Sequence, residues 1–382
     1  MNWRDCTLGD VVKLQRGHDL PDRVRVAGAV PVVSSSGITG RHNVAKAEPP
    51  GVVTGRYGTI GEVFYIEEPY WPLNTALYVV DFKDNDPRFV AYLLRSTLKN
   101  YKSEKAAVPG VDRNVLHLLN VRAPDRATQG SIAAVLAAYD DLIENDRKRI
   151  ALLEDAARLL FREWFVQLRF PGHEHVKVVD GVPEGWERTT LGEACLSLDD
   201  GDWIETKDQG GSDYRLLQIS NIGVNAFVET GNFRCITEQT FVRLNCRELL
   251  PGHILIARMP KPIGRAWLVT EMPWKVITAV DGAIAVPAPE RADPYFLTYF
   301  INSPANLALC ERRAVGATRP RITRRDVASL PMTLPSLRLQ KLFRDVVEPV
   351  NRQRQLLHRQ SERLADARDL LLPRLMTGDI AV

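Results

Sequence analysis

Trp3-Arg4-Asp5-Cys6-Thr7-Leu8-Gly9-Asp10 returns as Trp186-Glu187-Arg188-Thr189-Thr190-Leu191-Gly192-Glu193, an offset of 183 that keeps the Trp, the Leu-Gly pair and a closing acid. Further matches follow in the same order. Arg56-Tyr57-Gly58-Thr59-Ile60-Gly61 faces Arg258-Met259-Pro260-Lys261-Pro262-Ile263-Gly264, with the Ile-Gly pair at an offset of 203. Asp86-Pro87-Arg88-Phe89 faces Asp293-Pro294-Tyr295-Phe296 at 207, and Pro124-Asp125 with Gln129 faces Pro335-Ser336 with Gln340 at 211. The offset grows inside polar, Gly-rich and Pro-rich sequence, so the second copy carries loop insertions on a shared scaffold. A chain of 382 residues has room for two to three domains of ~150 residues, and duplication divides it.

Each copy ends in a helical signal. After Pro124, Asp125 offers an N-cap, and Ile132, Leu136, Tyr139, Ile143, Asp146, Ile150, Leu153, Ala157, Leu160 and Trp164 follow at alternating spacings of four and three. After Pro335, Ser336 offers a cap and Leu339, Phe343, Val346, Val350, Gln353, Leu357, Gln360, Leu364, Ala367 and Leu371 repeat the spacing. Both stripes are narrow and flanked by charge, the pattern of helices paired with each other. Pro349 is expected to kink or interrupt the second helix. The bodies between are β-rich: Val30–Val33, Val52–Thr54, Val63–Ile66 and Ala76–Val80 in one copy, and Leu216–Ile219, His253–Ile256, Ala266–Val269 and Ala283–Val286 in the other. Phe89 to Leu94 reads as a short helix. The expected organisation is a mixed α+β domain over 1–124, a long helix over 125–170, a linker over 171–185, a second domain over 186–335 and a distal helix over 336–382.

Hydrophobic residues make up 45% and charged residues 25%, a balance that excludes collagen-like and disordered chains. The longest apolar runs, such as Ala133 to Tyr139, fall short of the ~20 residues that span a bilayer, and Met1 to Asp5 carries no signal-peptide core, so a cytoplasmic protein without membrane partners is expected. The five cysteines (Cys6, Cys195, Cys235, Cys246 and Cys310) include no C-x-x-C pair and read as small buried side chains. Net charge is +3, which permits nucleic-acid binding without requiring it.

The familiar catalytic motifs are missing. There is no P-loop, no H-E-x-x-H and no G-x-S-x-G, and Glu48-Pro49-Pro50-Gly51 lacks the Asn/Asp-Pro-Pro-aromatic arrangement of amino-methyltransferases. Gly55 to Gly61 lies between strands and reads as a tight hairpin, and His173-Glu174-His175 lacks a third metal ligand. Positive charge gathers where loops are expected: the run from Arg312 to Arg325 holds six arginines with no acid until Asp326. Guanidinium groups bond bidentately to phosphate or guanine, so Arg319 and Arg321 are candidate DNA contacts, and the run is equally compatible with a solvated surface. Its weaker counterpart is Lys99–Lys105 followed by Arg113. Ser34, Ser35, Ser36, Arg41 and His42 in one copy, and Gln218, Ser220 and Asn221 in the other, could read base edges or simply cap strand ends. The aligned turns add Arg56 and Tyr57, and Arg258 and Lys261.

Leu8-Gly9-Asp10 and Leu191-Gly192-Glu193, Arg56 to Gly61, Leu152 to Phe161 and Ala367-Arg368-Asp369-Leu370-Leu371-Leu372-Pro373-Arg374-Leu375-Met376-Thr377-Gly378 together resemble the specificity (S) subunit of type I restriction-modification enzymes. The resemblance implies an α+β fold class: two similar mixed target-recognition domains, separated by two long antiparallel coiled-coil helices in a pseudo-twofold internal repeat. It also implies a non-catalytic DNA-binding chain whose domains each read half of a bipartite double-stranded target. The helices would dock two modification (methyltransferase) subunits and, in the full complex, restriction (translocase/nuclease) subunits. No cofactor or metal is expected in this chain, and S-adenosylmethionine is expected on the modification subunit. A stand-alone bipartite DNA-binding regulator is the alternative.

Overall fold

The computed structural model describes residues 3–56, 61–99 and 110–382. The first copy runs β1 (Arg4–Thr7), α1 (Leu8–Val11), β2 (Lys13–Arg16), β3 (Val30–Ser34), β4 (Gly37–His42), β5 (Gly51–Gly55), β6 (Val63–Ile66), β7 (Trp71–Pro72), β8 (Ala76–Asp81), α2 (Pro87–Lys99), α3 (Arg113–His117) and β9 (Asn120–Ala123), then α4 (Arg126–Phe161). A π-helical turn at Arg162–Val166 and a small hairpin of β10 (Val178–Val179) and β11 (Val182–Pro183) follow. The second copy runs β12 (Glu187–Thr190), β13 (Cys195–Asp200), β14 (Tyr214–Leu217), β15 (Cys235–Ile236), α5 (Glu238–Arg243), β16 (Ile254–Ala257), β17 (Ala266–Leu268), β18 (Lys275–Thr278), β19 (Gly282–Pro287), α6 (Pro294–Ile301), α7 (Pro304–Arg313), α8 (Arg324–Ala328) and β20 (Pro331–Leu334), then α9 (Leu337–Thr377).

The duplication read from sequence is a duplication of topology. Sheets β1-β9, β2-β8-β5-β6 and β4-β3-β7 in the first copy correspond strand for strand to β12-β20, β13-β19-β16-β17 and β15-β14-β18 in the second. Even the parallel pairs correspond, β3 with β7 and β14 with β18. The shared Leu-Gly-acid motif explains itself locally. Leu8 and Leu191 are fully buried, and their N–H groups donate to Leu119 O at 2.8 Å and Leu330 O at 3.0 Å. The acid turns back on the preceding residues: Asp10 accepts from Thr7 N at 2.9 Å, and Glu193 from Thr190 N at 3.0 Å. A Cβ on Gly9 would stand 3.0 Å from His117 O, and one on Gly192 3.1 Å from Ala328 Cβ, so the close approach favours glycine.

By contacts the chain forms two compact units, Met1–Lys148 with Leu357–Val382, and Arg149–Leu356. Within the first, the C-terminal turns of α9 complete the core: Leu372, Leu375 and Met376 pack with Leu8, Phe89, Leu94 and Ile132. Arg122 donates to Thr377 O at 3.0 Å. Within the second, Ala157 and Phe161 of α4 join Phe296, Tyr299, Phe343 and Val347. Both units pair their helix segments antiparallel: Arg368 reaches Asp140 and Ser361 reaches Asp146 in one, and Arg354 reaches Glu154 and Phe343 meets Phe161 in the other.

Nine of the seam positions lie in α4 and Trp164 in the π-helical turn that follows, and all ten are buried or half-buried, as the spacing predicts. Four expectations are corrected. Helix α9 runs unbroken through Pro349, which lies exposed while Phe343, Val347 and Leu357 anchor the flanking turns. Its stripe is also displaced: Val346 and Gln360 are exposed and Val347 is buried, because Phe343 and Val347 face domain residues as well as the partner helix. Among the cysteines, Cys246 and Cys310 are buried, whereas Cys6, Cys195 and Cys235 are only half-buried. Helix α2 extends beyond Phe89–Leu94 in both directions.

Candidate nucleic-acid interface

The polar candidates fall at equivalent places in the two copies. Ser34 ends β3 and Ser35 and Ser36 make the β3–β4 turn, while Gln218, Ser220 and Asn221 open the connection between the equivalent strands β14 and β15. Residues 35–36 make the first connection and residues 218–234 the second, so most of the growth in repeat offset is spent here. Arg56 and Arg258 each follow the corresponding strand, β5 and β16. Their backbones are held alike: Arg56 N donates to Thr75 O at 2.9 Å and its carbonyl accepts from Val111 N, while Arg258 N donates to Asp281 O at 3.1 Å and its carbonyl accepts from Ile322 N. Arg113 opens α3 behind the Asp112 cap as Arg324 opens α8 behind Thr323. Three loop sites per copy therefore sit on one scaffold with different chemistry.

In the second unit several of these side chains are committed internally. Asn221 is 1% exposed; its Oδ1 accepts from Gln218 N at 2.9 Å and its Nδ2 donates to Val228 O at 2.9 Å. Asn221 thus shapes the 3-10 turn Ile219–Asn221 and has no free edge for a base, which corrects the expectation for it. Ser220 is exposed and Gln218 half-buried. Arg258 is also corrected, being 5% exposed, paired with Asp200 at 2.8 Å and bonded to Val280 O. Burial pulls its pKa down, opposed by the Asp200 carboxylate. Arg321 donates to the same Val280 carbonyl at 3.1 Å and pairs with Asp281 at 3.3 Å. Lys261 is exposed beside Glu311 at 2.9 Å, and Arg319 is exposed.

The arginine run is not one open loop. Helix α7 ends on Arg312 and Arg313 and α8 begins at Arg324, leaving Arg319 and Arg321 in the segment between. Arg313 donates to Asp326 O at 3.1 Å and Ser329 Oγ at 3.0 Å, and Arg324 lies 3.6 Å from both Asp199 and Asp200. Among the described residues, the guanidinium groups of Arg312, Arg319 and Arg325 have no ion-pair or hydrogen-bond partner.

In the first unit Ser34 is buried, with its Oγ bonded to Gly37 O at 3.2 Å and Ser36 Oγ at 3.0 Å, and Ser36 is exposed. His42 is buried; its Nδ1 accepts from Val26 N at 3.1 Å and its ring meets Trp71 edge-on at 5.3 Å. It therefore fixes the strand edge, whereas Arg41 and Arg113 are exposed. Tyr57 and most of Lys99–Lys105 lie outside the described residues.

Sequence reading missed Arg265, which sits just before β17 with its guanidinium 2.6 Å from both Ile222 O and Pro260 O and 2.8 Å from Ile219 O. The signal was present: at the offset of the Ile-Gly pair, the first copy has exposed Glu62. Among the described residues no group of His, Cys, Asp or Glu could hold a metal ion, and no helix is long and apolar enough to cross a membrane. Burial raises every cysteine pKa, that of Cys195 to about 12.

A family profile described as the type I restriction modification DNA specificity domain matches residues 1–155. The chain is 24% identical over 313 residues to the type I restriction enzyme MjaIX specificity subunit of Methanocaldococcus jannaschii, covering 77% of this chain and 69% of that one. It is 22% identical over 299 residues to the MjaVIII specificity subunit of the same organism, with 77% and 70% covered. The crystal structure of the type I restriction-modification S subunit from M. genitalium shares the fold, with a TM-score of 0.63 at 17% identity over 98% of this chain and 96% of that one. With a duplicated topology and two long helices, the chain carries a match to the type I restriction modification DNA specificity domain over residues 1–155 and is similar over 77% of its length to type I specificity subunits.

Proposed function

We propose that each copy reads one half of a bipartite double-stranded DNA target, and that the chain directs the methyltransferase and restriction subunits of a type I complex to that target without catalysing a reaction itself. One observation carries this reading: the two copies keep the same sheets and differ in the three loop sites that hold the polar and basic candidates. Sequence is read by side chains at base edges, so a constant scaffold with divergent loops suits two half-sites of different sequence. The candidate contacts are exposed Ser36, Arg41 and Arg113 in the first copy and Ser220, Lys261 and Arg319 in the second. Exposed charge along α4 and α9 would dock two modification subunits, which would bind S-adenosylmethionine. A net charge of +3 suits such a division of labour, since phosphate contacts sum over the whole assembly.

The test is reconstitution. The purified chain alone should neither methylate nor cut DNA, and with a modification subunit and S-adenosylmethionine it should direct methylation to a two-part sequence. Turnover by the chain alone, or methylation by the partner that is indifferent to the chain, would overturn the reading. Sequence-specific binding without recruitment of any methyltransferase would favour the stand-alone regulator.

A further inference from the structure

Arg265 is 7% exposed, and every nitrogen of its guanidinium is turned onto a backbone carbonyl. Nε donates to Ile222 O at 2.6 Å and one terminal nitrogen to Ile219 O at 2.8 Å. The other donates to Pro260 O at 2.6 Å and Pro262 O at 3.2 Å. One side chain therefore clamps two separate segments. The first is the 3-10 turn that presents Ser220, and the second is the loop that presents Lys261 around the cis Lys261–Pro262 bond. Neither segment belongs to a sheet. Asn302 joins from beneath, bonding Ala266 O and Asn225 Oδ1, so the long connection after β14 is held against the start of β17 at two points.

Among the described residues the first copy shows no equivalent clamp. Glu62 stands at the aligned position and is exposed, and the β3–β4 turn is short enough to be fixed by its own strands. A long insertion gains a recognition surface only if its tip is held in one place, because loosely held contacts lose the ordering entropy on binding. Arginine suits this task. Its planar fork presents five donors in fixed directions, whereas lysine offers three from a single nitrogen and cannot reach carbonyls on two sides.

We propose that Arg265 is the positioning residue of the second domain's recognition surface, fixing the Ser220 turn and the Lys261 loop as one composite reader. This rests on the DNA-recognition reading above. The experiment uses the full chain assembled with its modification subunit, and measures methylation across a duplex library randomised at both half-sites, for wild type, Arg265→Gln and Arg265→Lys. Both variants should lose discrimination by about tenfold, the scale of one mismatched base pair, in one half-site only. Ser220→Ala and Lys261→Ala, non-additive in wild type, should become additive in the Arg265→Lys background. A structural role alone would not confine the loss to one half-site or uncouple that pair. Should Arg265→Gln fail to fold, Arg265→Lys keeps the charge and part of the bonding and carries the test. Unchanged discrimination in a folded variant, or equal loss in both half-sites, would overturn the proposal. A wild-type complex without sequence preference would overturn the recognition reading, and the proposal with it.

Discussion

Gln129 and Gln340 perform the same task 211 residues apart. Gln129 is 2% exposed and Gln340 fully buried. Oε1 of Gln129 accepts from Asp86 N at 2.9 Å, and that of Gln340 from Asp293 N at 2.8 Å. Their amide nitrogens donate to Pro124 O at 3.0 Å and Pro335 O at 2.8 Å. Each glutamine thereby ties the first turn of a long helix to the residue that leads into the following domain helix, α2 or α6. Replacing either by Leu strands a buried N–H and at least one carbonyl. Gln129→Leu and Gln340→Leu should each cost on the order of 2 kcal/mol, read as a lowered denaturant midpoint, with unchanged stability contradicting the assignment.

Gly130 lies inside α4 with nothing within 4 Å of a built Cβ, whereas Gly264 has φ +87° and a Cβ there would lie 2.6 Å from Cys310 Sγ. Gly130→Ala should therefore stabilise the protein by about 0.5 to 1 kcal/mol through helix propensity. Gly264→Ala should destabilise it by more than about 1 kcal/mol, since an L side chain is strained at that φ and meets a buried sulfur. Thermal melts of the two variants should move in opposite directions.

His117 accepts the Leu14 N–H at Nε2 over 2.9 Å, and burial, reinforced by Lys83 and Arg113, holds its pKa below the ordinary 6.5. His253 accepts from Leu250 N at 3.2 Å and is lowered by burial and Arg247. Between the folded and unfolded values the unfolded chain binds more protons, so stability rises with pH in that window. Stability should be level above about pH 6.5 and fall as the pH drops toward the folded values. His117→Gln should remove part of that slope, and an unaltered slope would mean that His117 does not titrate as described.

Asp281 sits 3.3 Å from Arg321 and competes with any phosphate for that guanidinium. Asp281→Asn should tighten binding to all DNA sequences and steepen the salt dependence by about one counterion, whereas Arg319→Ala should weaken binding. If Arg319 contacts phosphate, the loss is uniform and the salt slope falls by about 1; if it pairs with guanine, one position relaxes at a cost of ~1 to 3 kcal/mol. Affinity and slope unchanged in both variants would remove this loop from the interface.

The scaffold was legible because its physics is local and repeated. Leu8-Gly9-Asp10, Gln129 and the strand runs recur with the same neighbours, and the Asp125 cap is read directly, accepting from Thr128 N at 3.0 Å. Pro349 misled because a missing N–H breaks a helix only when its flanking turns are not anchored, and here Val347 and Phe343 anchor them. The candidate contacts were legible by position and only partly by role. Ser220, Lys261 and Arg319 are exposed, whereas the roles of His42 and Arg258 depend on partners distant in sequence, Trp71 and Asp200, and that of Asn221 on how its own loop folds back to Val228. Arg265 escaped for the same reason, since its carbonyl partners lie in two loops that sequence does not bring together.

Whether each copy reads its own half-site is decided by mapping methylation on a randomised duplex library with two matched variant sets. One set carries Ser36→Ala with Arg41→Ala, the other Ser220→Ala with Arg319→Ala, each in the full chain with its modification subunit. Each set should relax one half of the motif, a different half for each, with the other half retained. Relaxation of the same half by both sets, or an unaltered motif in both, would contradict that reading.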